Sequence, residues 1–324
     1  MKSNWINKVH IEGRVFNHTL QQKVSGENAK NPGTPFIRGI LNVATDEEGI
    51  NIVAVNFTYV TEFYSKSGKP NDTYKVLSQI IEDGKTWEKD GKDAAAQVRV
   101  DGDIEVNDFL GRDGNMVETK RVRGSFVHFA NGQMSLNSDE NKRNTFEADM
   151  LIAAVTLQEP ENGNDYVNLR GYTFAYQGRL VPVNFSVTNE AGMKYFMNCD
   201  ISNANPLLTK VWGNIVSTTQ ETRTEVESAF GAPVVNVTTR TLRAWEVVGA
   251  APEPYEWDDE STLTIAEFKE LLSAREEEKA AAKLRAEEYQ ASKSGSAGFP
   301  SSGSENDIPF NTGKSSSSPM DFKF

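Results

Sequence analysis

From Ile50 to Phe63 apolar and polar side chains alternate, with Val53, Val55, Phe57 and Tyr59 on one face and Ala54, Asn56 and Thr58 on the other. A period of two marks a half-buried strand with one side toward a core. The pattern returns from Arg179 to Thr188, where Val181, Val183, Phe185 and Val187 oppose Pro182, Asn184 and Ser186. Both runs carry V-x-V-N-F-[TS]. Both follow an apolar-Arg-Gly tripeptide, Ile37-Arg38-Gly39 and Leu169-Arg170-Gly171, and both precede a V-x-G-x-I strand, Val100 to Ile104 and Val211 to Ile215. Three matches in one order predict a duplicated module, as large as a whole small domain rather than a solenoid repeat. Gly39 and Gly171, inside strand patterns, predict bulges or bends, and Pro182, which cannot donate to a ladder, predicts an edge or bulge.

The first copy begins with a strand at Asn7 to Phe16, followed by a polar stretch, Asn17 to Pro35, that reads as a long flexible loop. Strands at Phe36 to Ala44 and Ile50 to Phe63 come next, then a short helix bearing Tyr74, Leu77, Ile80 and Ile81, with Asp72 as its N-cap. Strands Gln97 to Leu110 and Met116 to Phe129 are joined by the turn Gly111 to Asn115. Five strands with a helix between the third and fourth is the order of the OB-fold barrel. The second copy repeats it: strands at Phe146 to Gln158, Tyr166 to Tyr176, Arg179 to Thr188, Leu207 to Gln220 and Pro233 to Val248, with a helix around Met193 to Cys199. Polar residues Ser138 to Asn144 link the copies, which either pack together or are merely tethered.

After Gly249 the chain is Pro-rich and acidic, and then Thr264 and Glu267 form a capping box ahead of a long helix. Its first half offers Ile265, Phe268, Leu271 and Leu272 for docking on a barrel or partner, and its second half is a solvated rod. From Ser292 the Ser/Gly-rich composition predicts disorder. The predicted fold class is therefore all-β: two tandem OB-fold barrels (1–144 and 145–250), an acidic linker and α-helix (251–292) and a disordered tail (293–324).

Composition narrows the chemistry. The 324 residues carry a formal net charge of −12, which argues against a broad basic surface but not against local patches. Cys199 is the single cysteine, and His10, His18 and His128 are the only histidines. The first excludes an internal disulfide, the second leaves no metal-ligand spacing, and neither metal nor cofactor is expected. The N-terminus lacks an apolar signal region, and no run approaches the roughly 20 apolar residues of a membrane span. The expected location is the cytoplasm, away from membranes. No P-loop, G-x-S-x-G or HExxH motif points to an enzyme. Asp101, Asp103 and Glu105 alternate on a strand in a way that a metal-dependent nuclease could use, but read as a solvated strand face.

The tail contains Glu305-Asn306-Asp307-Ile308-Pro309-Phe310 and Pro319-Met320-Asp321-Phe322, and the chain ends Lys323-Phe324. These pieces resemble the acidic tip of bacterial single-stranded-DNA-binding proteins, P-M-D-F followed by D-D-D-I-P-F, in rearranged order. The opening Ile6-Asn7-Lys8-Val9-His10-Ile11-Glu12-Gly13-Arg14-Val15 resembles that family's first strand. The resemblance implies a noncatalytic protein that coats single-stranded DNA without regard to sequence and recruits replication, recombination and repair proteins through its tail. Asp307, Ile308, Pro309, Phe310, Asp321, Phe322 and Phe324 are then the partner-binding residues. Two barrels in one chain depart from the usual one-barrel bacterial subunit and look more like a phage version, monomeric or dimeric.

Such a role requires aromatic faces for bases, flanked by cations. In the second copy Arg170, Tyr172, Phe174 and Tyr176 fall on one strand face, with Arg179 just after the turn, and form the predicted stacking platform. In the first copy the candidates are Arg38, as the equivalent of Arg170, then Phe63, Tyr64, Lys66 and Lys69 after the third strand, and Lys120, Arg121 and Arg123 after the hairpin. Lys210 and Trp212 add a further pair, while Trp5, Trp87 and Trp245 are stackers or core. A second reading keeps the barrels as a protein-interaction or virion-structural module, since fold alone does not fix function.

Overall fold

A computed structural model describes residues 4–294, save 28, 65, 112, 132–134, 161–163 and 227–233. The first barrel consists of β1 (Asn7–His18), β3 (Pro35–Ala44), β4 (Ile52–Thr61), β5 (Gln97–Leu110) and β6 (Met116–Phe129). β1 pairs with β3, β3 with β4, β5 with β6 and β5 with β1, all antiparallel, and a parallel contact of β4 with β6 closes the ring. The second barrel repeats every pairing with β7 (Asn144–Gln158), β8 (Tyr166–Phe174), β9 (Leu180–Val187), β10 (Leu207–Val226) and β11 (Val234–Ala250), closed by a parallel bridge at Glu246 and Ser186. Helices α1 (Asp72–Asp83) and α3 (Glu190–Asn198) each separate the third strand from the fourth. The fold is all-β, with two barrels of OB topology.

The shared motifs occupy matching rungs. Val53, Val55 and Phe57 in one barrel, and Val181, Val183 and Phe185 in the other, are buried, as are Val100 and Ile104 against Val211 and Ile215. The glycine of V-x-G-x-I sits at a bulge both times, between Asp101 and Gly102 and between Trp212 and Gly213. A Cβ at Gly102 would run into the carbonyl oxygen of Arg123, and one at Gly213 into that of Glu246. Only a bare Cα lets the two strands approach this closely while the bulge turns the sheet around the barrel. The Arg-Gly tripeptides do not match in the same way. Gly39 faces Phe57 whereas Gly171 faces Val183, two rungs away by the V-N-F register, so Arg38 is not the structural equivalent of Arg170.

Two local expectations are corrected. The stretch after β1 contains a strand, β2 (Gln21–Val24), because its backbone finds partners along Pro35 to Arg38. The N-cap of α1 is Asn71 rather than Asp72: the Asn71 side chain accepts a hydrogen bond from the Thr73 amide at 3.1 Å.

The barrels share one sheet. β1 runs antiparallel to β7 from Asn7 opposite Ala148 to Ile11 opposite Asn144, and buried side chains of both barrels form a continuous core. The connecting segment is tied down rather than loose. Arg143, 7% exposed, donates to the backbone of Thr45 and Asn137 and to Glu47. Glu47 also receives Lys92, which follows the short helix α2 (Trp87–Asp90), and Arg14 from β1. Lys92 first, then Arg143 and Arg14, hold its carboxyl near pH 2 instead of 4.5.

The last helix, α4 (Ile265–Ser294), starts at the expected capping box: Thr264 N donates to Glu267 at 3.0 Å and Glu267 N to the Thr264 hydroxyl at 3.2 Å. Leu263 and Phe268, fully buried, press on Leu151, Tyr172, Phe174, Leu180 and Leu208 of the second barrel. Two turns further on, Arg275 forks onto Asp108 of β5 at 2.5 and 2.6 Å and reaches Glu118 of β6 at 2.9 Å. The helix thus packs on one barrel and clamps the hairpin of the other.

Gly102→Ala and Gly213→Ala should each destabilise the protein by at least about 1–3 kcal/mol through backbone displacement, measured as a lowered urea midpoint. Because its pKa is depressed, the stabilisation from Glu47 is complete above about pH 4.5 and is lost as pH falls through 2. Glu47→Gln should therefore flatten the stability profile across that window and leave its alkaline limb unchanged.

Candidate nucleic-acid interface

Toward its C-terminal end β4 bulges in its pairing with β3. Alternation predicts Tyr59 inward, yet Tyr59 is 48% exposed, because the extra residue between Phe57, opposite Gly39, and Val60, opposite Ile37, reverses the alternation and turns Val60 toward the core instead. The Tyr59 ring packs on Phe36, centroids 4.6 Å apart and planes tilted by 38°, and its hydroxyl meets Ser25 at 3.0 Å. The chain then makes a tight excursion. Phe63 bridges to Pro70, Tyr64 N donates to Lys69 O at 2.9 Å and Gly68 N to Tyr64 O at 2.8 Å. That loop leaves Phe63 and Tyr64 51% and 41% exposed, with Lys66 and Lys69 exposed beside them. Across from it β6 presents Arg123 and Phe126, the latter 51% exposed. Tyr59, Phe63, Tyr64, Arg123 and Phe126 line one open groove of about 820 Å³.

The structure thus brings together Phe63, Tyr64 and Arg123 from the sequence-predicted set, with Lys66 exposed two residues after Tyr64. Arg38 is exposed on β3, two residues beyond Phe36. Tyr59 and Phe126 were not identified by sequence reasoning. Tyr59 sat on the predicted core face, and Phe126 lies in a strand whose chemistry was read only from its cations.

Those cations are largely engaged. Arg123 forms a forked pair with Asp103, which raises its pKa further, and Arg121 pairs with Glu105 at 2.9 Å. Asp101 meets His10 at 2.7 Å, so all three carboxylates of the alternating strand have basic partners. Lys120 points away from the groove toward the second barrel, where it donates to Asn184 and lies over Phe185 and Trp245, 5.6 and 5.9 Å from the ring centroids. Burial pulls its pKa down to about 7. It serves the contact between barrels, which corrects its expected place in the interface.

The expected platform on the second barrel is also corrected. Phe174 is 1% exposed and stacks on Trp5 at 4.0 Å, and Tyr172 is 9% exposed beneath Phe268 at 6.0 Å. Burial pushes the Tyr172 hydroxyl up to about 12, with Glu118 and Glu276 adding to the effect. No face of Phe174 is open to a base. The stripe lies on the outside of the barrel, but Trp5 from the N-terminal segment and the C-terminal segment together cover it. Arg170 is half-buried, and only Tyr176, 79% exposed, and Arg179 at the following turn reach solvent. Trp245 is core, packed with Phe146 and Phe185, and Trp87 packs near Phe16. Trp212 remains 38% exposed, with Lys210 5.8 Å from its ring centroid and bonded to Glu147 at 2.5 Å.

The profile of the YorF family matches residues 6–285, a span that takes in both barrels and most of α4. The chain belongs to the YorF family. No curated protein matches it. Among solved structures, this YorF chain is similar to the single-stranded DNA binding protein from Thermus aquaticus. A deletion mutant of that protein is 14% identical, with 79% of this chain and 98% of that chain covered and a TM-score of 0.45. The wild-type structure is 13% identical, with 78% and 95% covered and a TM-score of 0.45. The fold assignment rests on the strand pairings themselves.

Among the described residues of the YorF chain, no group of three or more His, Cys, Asp or Glu is arranged to hold a metal ion, and no helix is long and apolar enough to cross a membrane. The tail candidates Asp307, Ile308, Pro309, Phe310, Asp321, Phe322 and Phe324 lie outside the described residues.

Phe174→Ala should act as a core truncation, costing about 3–5 kcal/mol, and should appear in thermal or urea unfolding. An Arg275→Ala variant leaves Asp108 and Glu118 without their buried cation. It should be destabilised by roughly 3–5 kcal/mol, against a smaller loss for Lys279→Ala at the more exposed end of the cluster.

Proposed function

We propose that this protein binds single-stranded DNA, without regard to sequence, in the groove of the first barrel. The observation that carries the reading is the set of four exposed rings, Tyr59, Phe63, Tyr64 and Phe126, around one open groove with Arg123 on its wall and with Lys66 and Lys69 exposed in the loop that carries Tyr64. Large rings seldom stand in solvent together without a ligand or partner. Each offers a face to a base of any identity, worth roughly 1–3 kcal/mol, while the nearby cations suit a phosphate backbone. A duplex keeps its bases stacked inside and presents no such faces.

The second barrel contributes less at the matching position. By the V-x-G-x-I register, Glu246 and Gly249 stand where the first barrel has Arg123 and Phe126, and β9 pairs with β8 without the bulge that turns Tyr59 outward on β4. We assign it a secondary contact through Trp212, Tyr176 and Arg179. The tail, with its ENDIPF and PMDF pieces, is proposed to recruit replication, recombination or repair proteins, in keeping with a role in phage DNA metabolism.

Fluorescence anisotropy with labelled single-stranded and duplex oligonucleotides tests the reading. Single strands should bind preferentially, and Tyr64→Ala and Phe126→Ala should each weaken binding by roughly 1–3 kcal/mol with melting temperatures close to wild type. Equal affinity for duplex, or full affinity in both variants, would exclude the groove.

A further inference from the structure

The two arginines of β6 expected to contact DNA, Arg121 and Arg123, are already paired, and the pairing follows a pattern. On the outer face of the β5–β6 hairpin, Asp103 stands opposite Arg123 and Glu105 opposite Arg121, two successive same-face rungs leading away from the groove. Arg123 Nε donates to Asp103 at 2.8 Å, and Arg121 donates to Glu105 at 2.9 and 3.0 Å. Both carboxylates are less exposed than their partners, 18% against 37% and 16% against 25%. The acids are the fixed members of each pair and the guanidinium groups the more accessible ones. In the second barrel the rung matching Asp103 and Arg123 is Asn214 opposite Glu246, so the charge-matched rung belongs to the barrel with the open groove.

We propose that Asp103 and Glu105 are affinity-setting residues that compete with DNA phosphates for Arg123 and Arg121. The inference rests on the groove reading above. A phosphate approaching Arg123 must share a guanidinium that already holds a carboxylate, and that carboxylate stays in place as a like charge. The hairpin therefore adds direction and hydrogen-bond donors to the groove with little net positive charge. Binding is consequently carried mainly by stacking, and its salt dependence is shallower than the number of nearby arginines suggests, since each phosphate neutralised on a single strand steepens the log–log salt slope by about 0.7. This gives the acidic chain a way to hold unpaired DNA firmly enough to cover it and loosely enough to be displaced.

The test is an anisotropy titration of the full chain with a labelled oligothymidylate at several salt concentrations, comparing wild type, Asp103→Asn, Glu105→Gln, the double variant and Asp103→Glu. Removing one unit charge a few ångströms from a bound phosphate should tighten binding roughly tenfold at low salt. Each released arginine should steepen the slope by about 0.7, with the double variant cumulative and Asp103→Glu like wild type. Should Asp103→Asn fail to fold, Glu105→Gln carries the same readout. Wild-type binding with neutral variants of unchanged affinity and slope would overturn this proposal alone. A wild type that binds no single strand would overturn the groove reading and this inference together.

Discussion

The architecture depends on the alignment of β1 with β7. β1 is shared three ways: its second half pairs with β3, its middle with β5, and its first residues with β7 of the other barrel. A strand hydrogen-bonded at both edges leaves no exposed ladder for aggregation, and its register transmits orientation from one barrel to the other. Asn51 and Asn144 reinforce the joint by donating to the Ile215 carbonyl at 3.2 and 2.7 Å, and Asn51 accepts from Ser217 N at 2.7 Å. Buried backbone groups at the seam are satisfied by amide side chains, and the hydrophobic core runs through it without a break. Rigid placement of the groove relative to the second barrel follows from this.

The two barrels repeat their topology and differ in what covers them. By the shared-glycine register, Leu151 and Leu208 stand where the first barrel has Arg14 and Gln97. An apolar pair on the outside of a barrel requires a cover, and the segment from Tyr255 to Leu272 provides it. At roughly 25 cal/mol per Å² of apolar surface removed from water, fully buried side chains such as Leu263 and Phe268 stabilise by about 1.5–3 kcal/mol each. With the Arg275 cluster beyond them, α4 is a permanent part of the fold. Sequence duplication supplied two equal frames, and outer-face substitutions made one a support and left the other an open surface.

Much of this was legible in the chain. Period-two alternation placed the strands, the V-N-F and V-x-G-x-I matches located equivalent rungs, and Thr264 with Glu267 announced the helix start. The Arg-Gly match misled because a three-residue likeness carries no register, and hydrogen-bond pairing puts it two rungs out of step. The Arg170 stripe misled for a different reason. Periodicity separates two faces of a strand but cannot say whether the outer one meets water or another part of the chain, and Phe268 lies almost a hundred residues from Phe174. Tyr59 shows the reverse case: alternation holds only while the ladder is regular, and the bulge that turns Tyr59 outward is set by pairing with β3 rather than by the period-two pattern.

One rung shows how a duplicated frame diverges without loss of fold. Asp101 faces Phe126 in the first barrel, and at the matching position Trp212 faces Gly249 in the second. Each rung carries one exposed ring, but on opposite strands. In the second barrel the tryptophan lies flat against the bare Gly249, where a Cβ would collide with the indole, so its underside is occupied by backbone. In the first barrel the ring stands on β6 beside Arg123 and is free to wall a groove. Transferring the ring between strands keeps the rung's bulk and the barrel's curvature while changing what the aromatic face can meet. A binding surface can therefore be created or removed on this scaffold by exchanging residues across a single rung, with the buried valines and bulge glycines untouched.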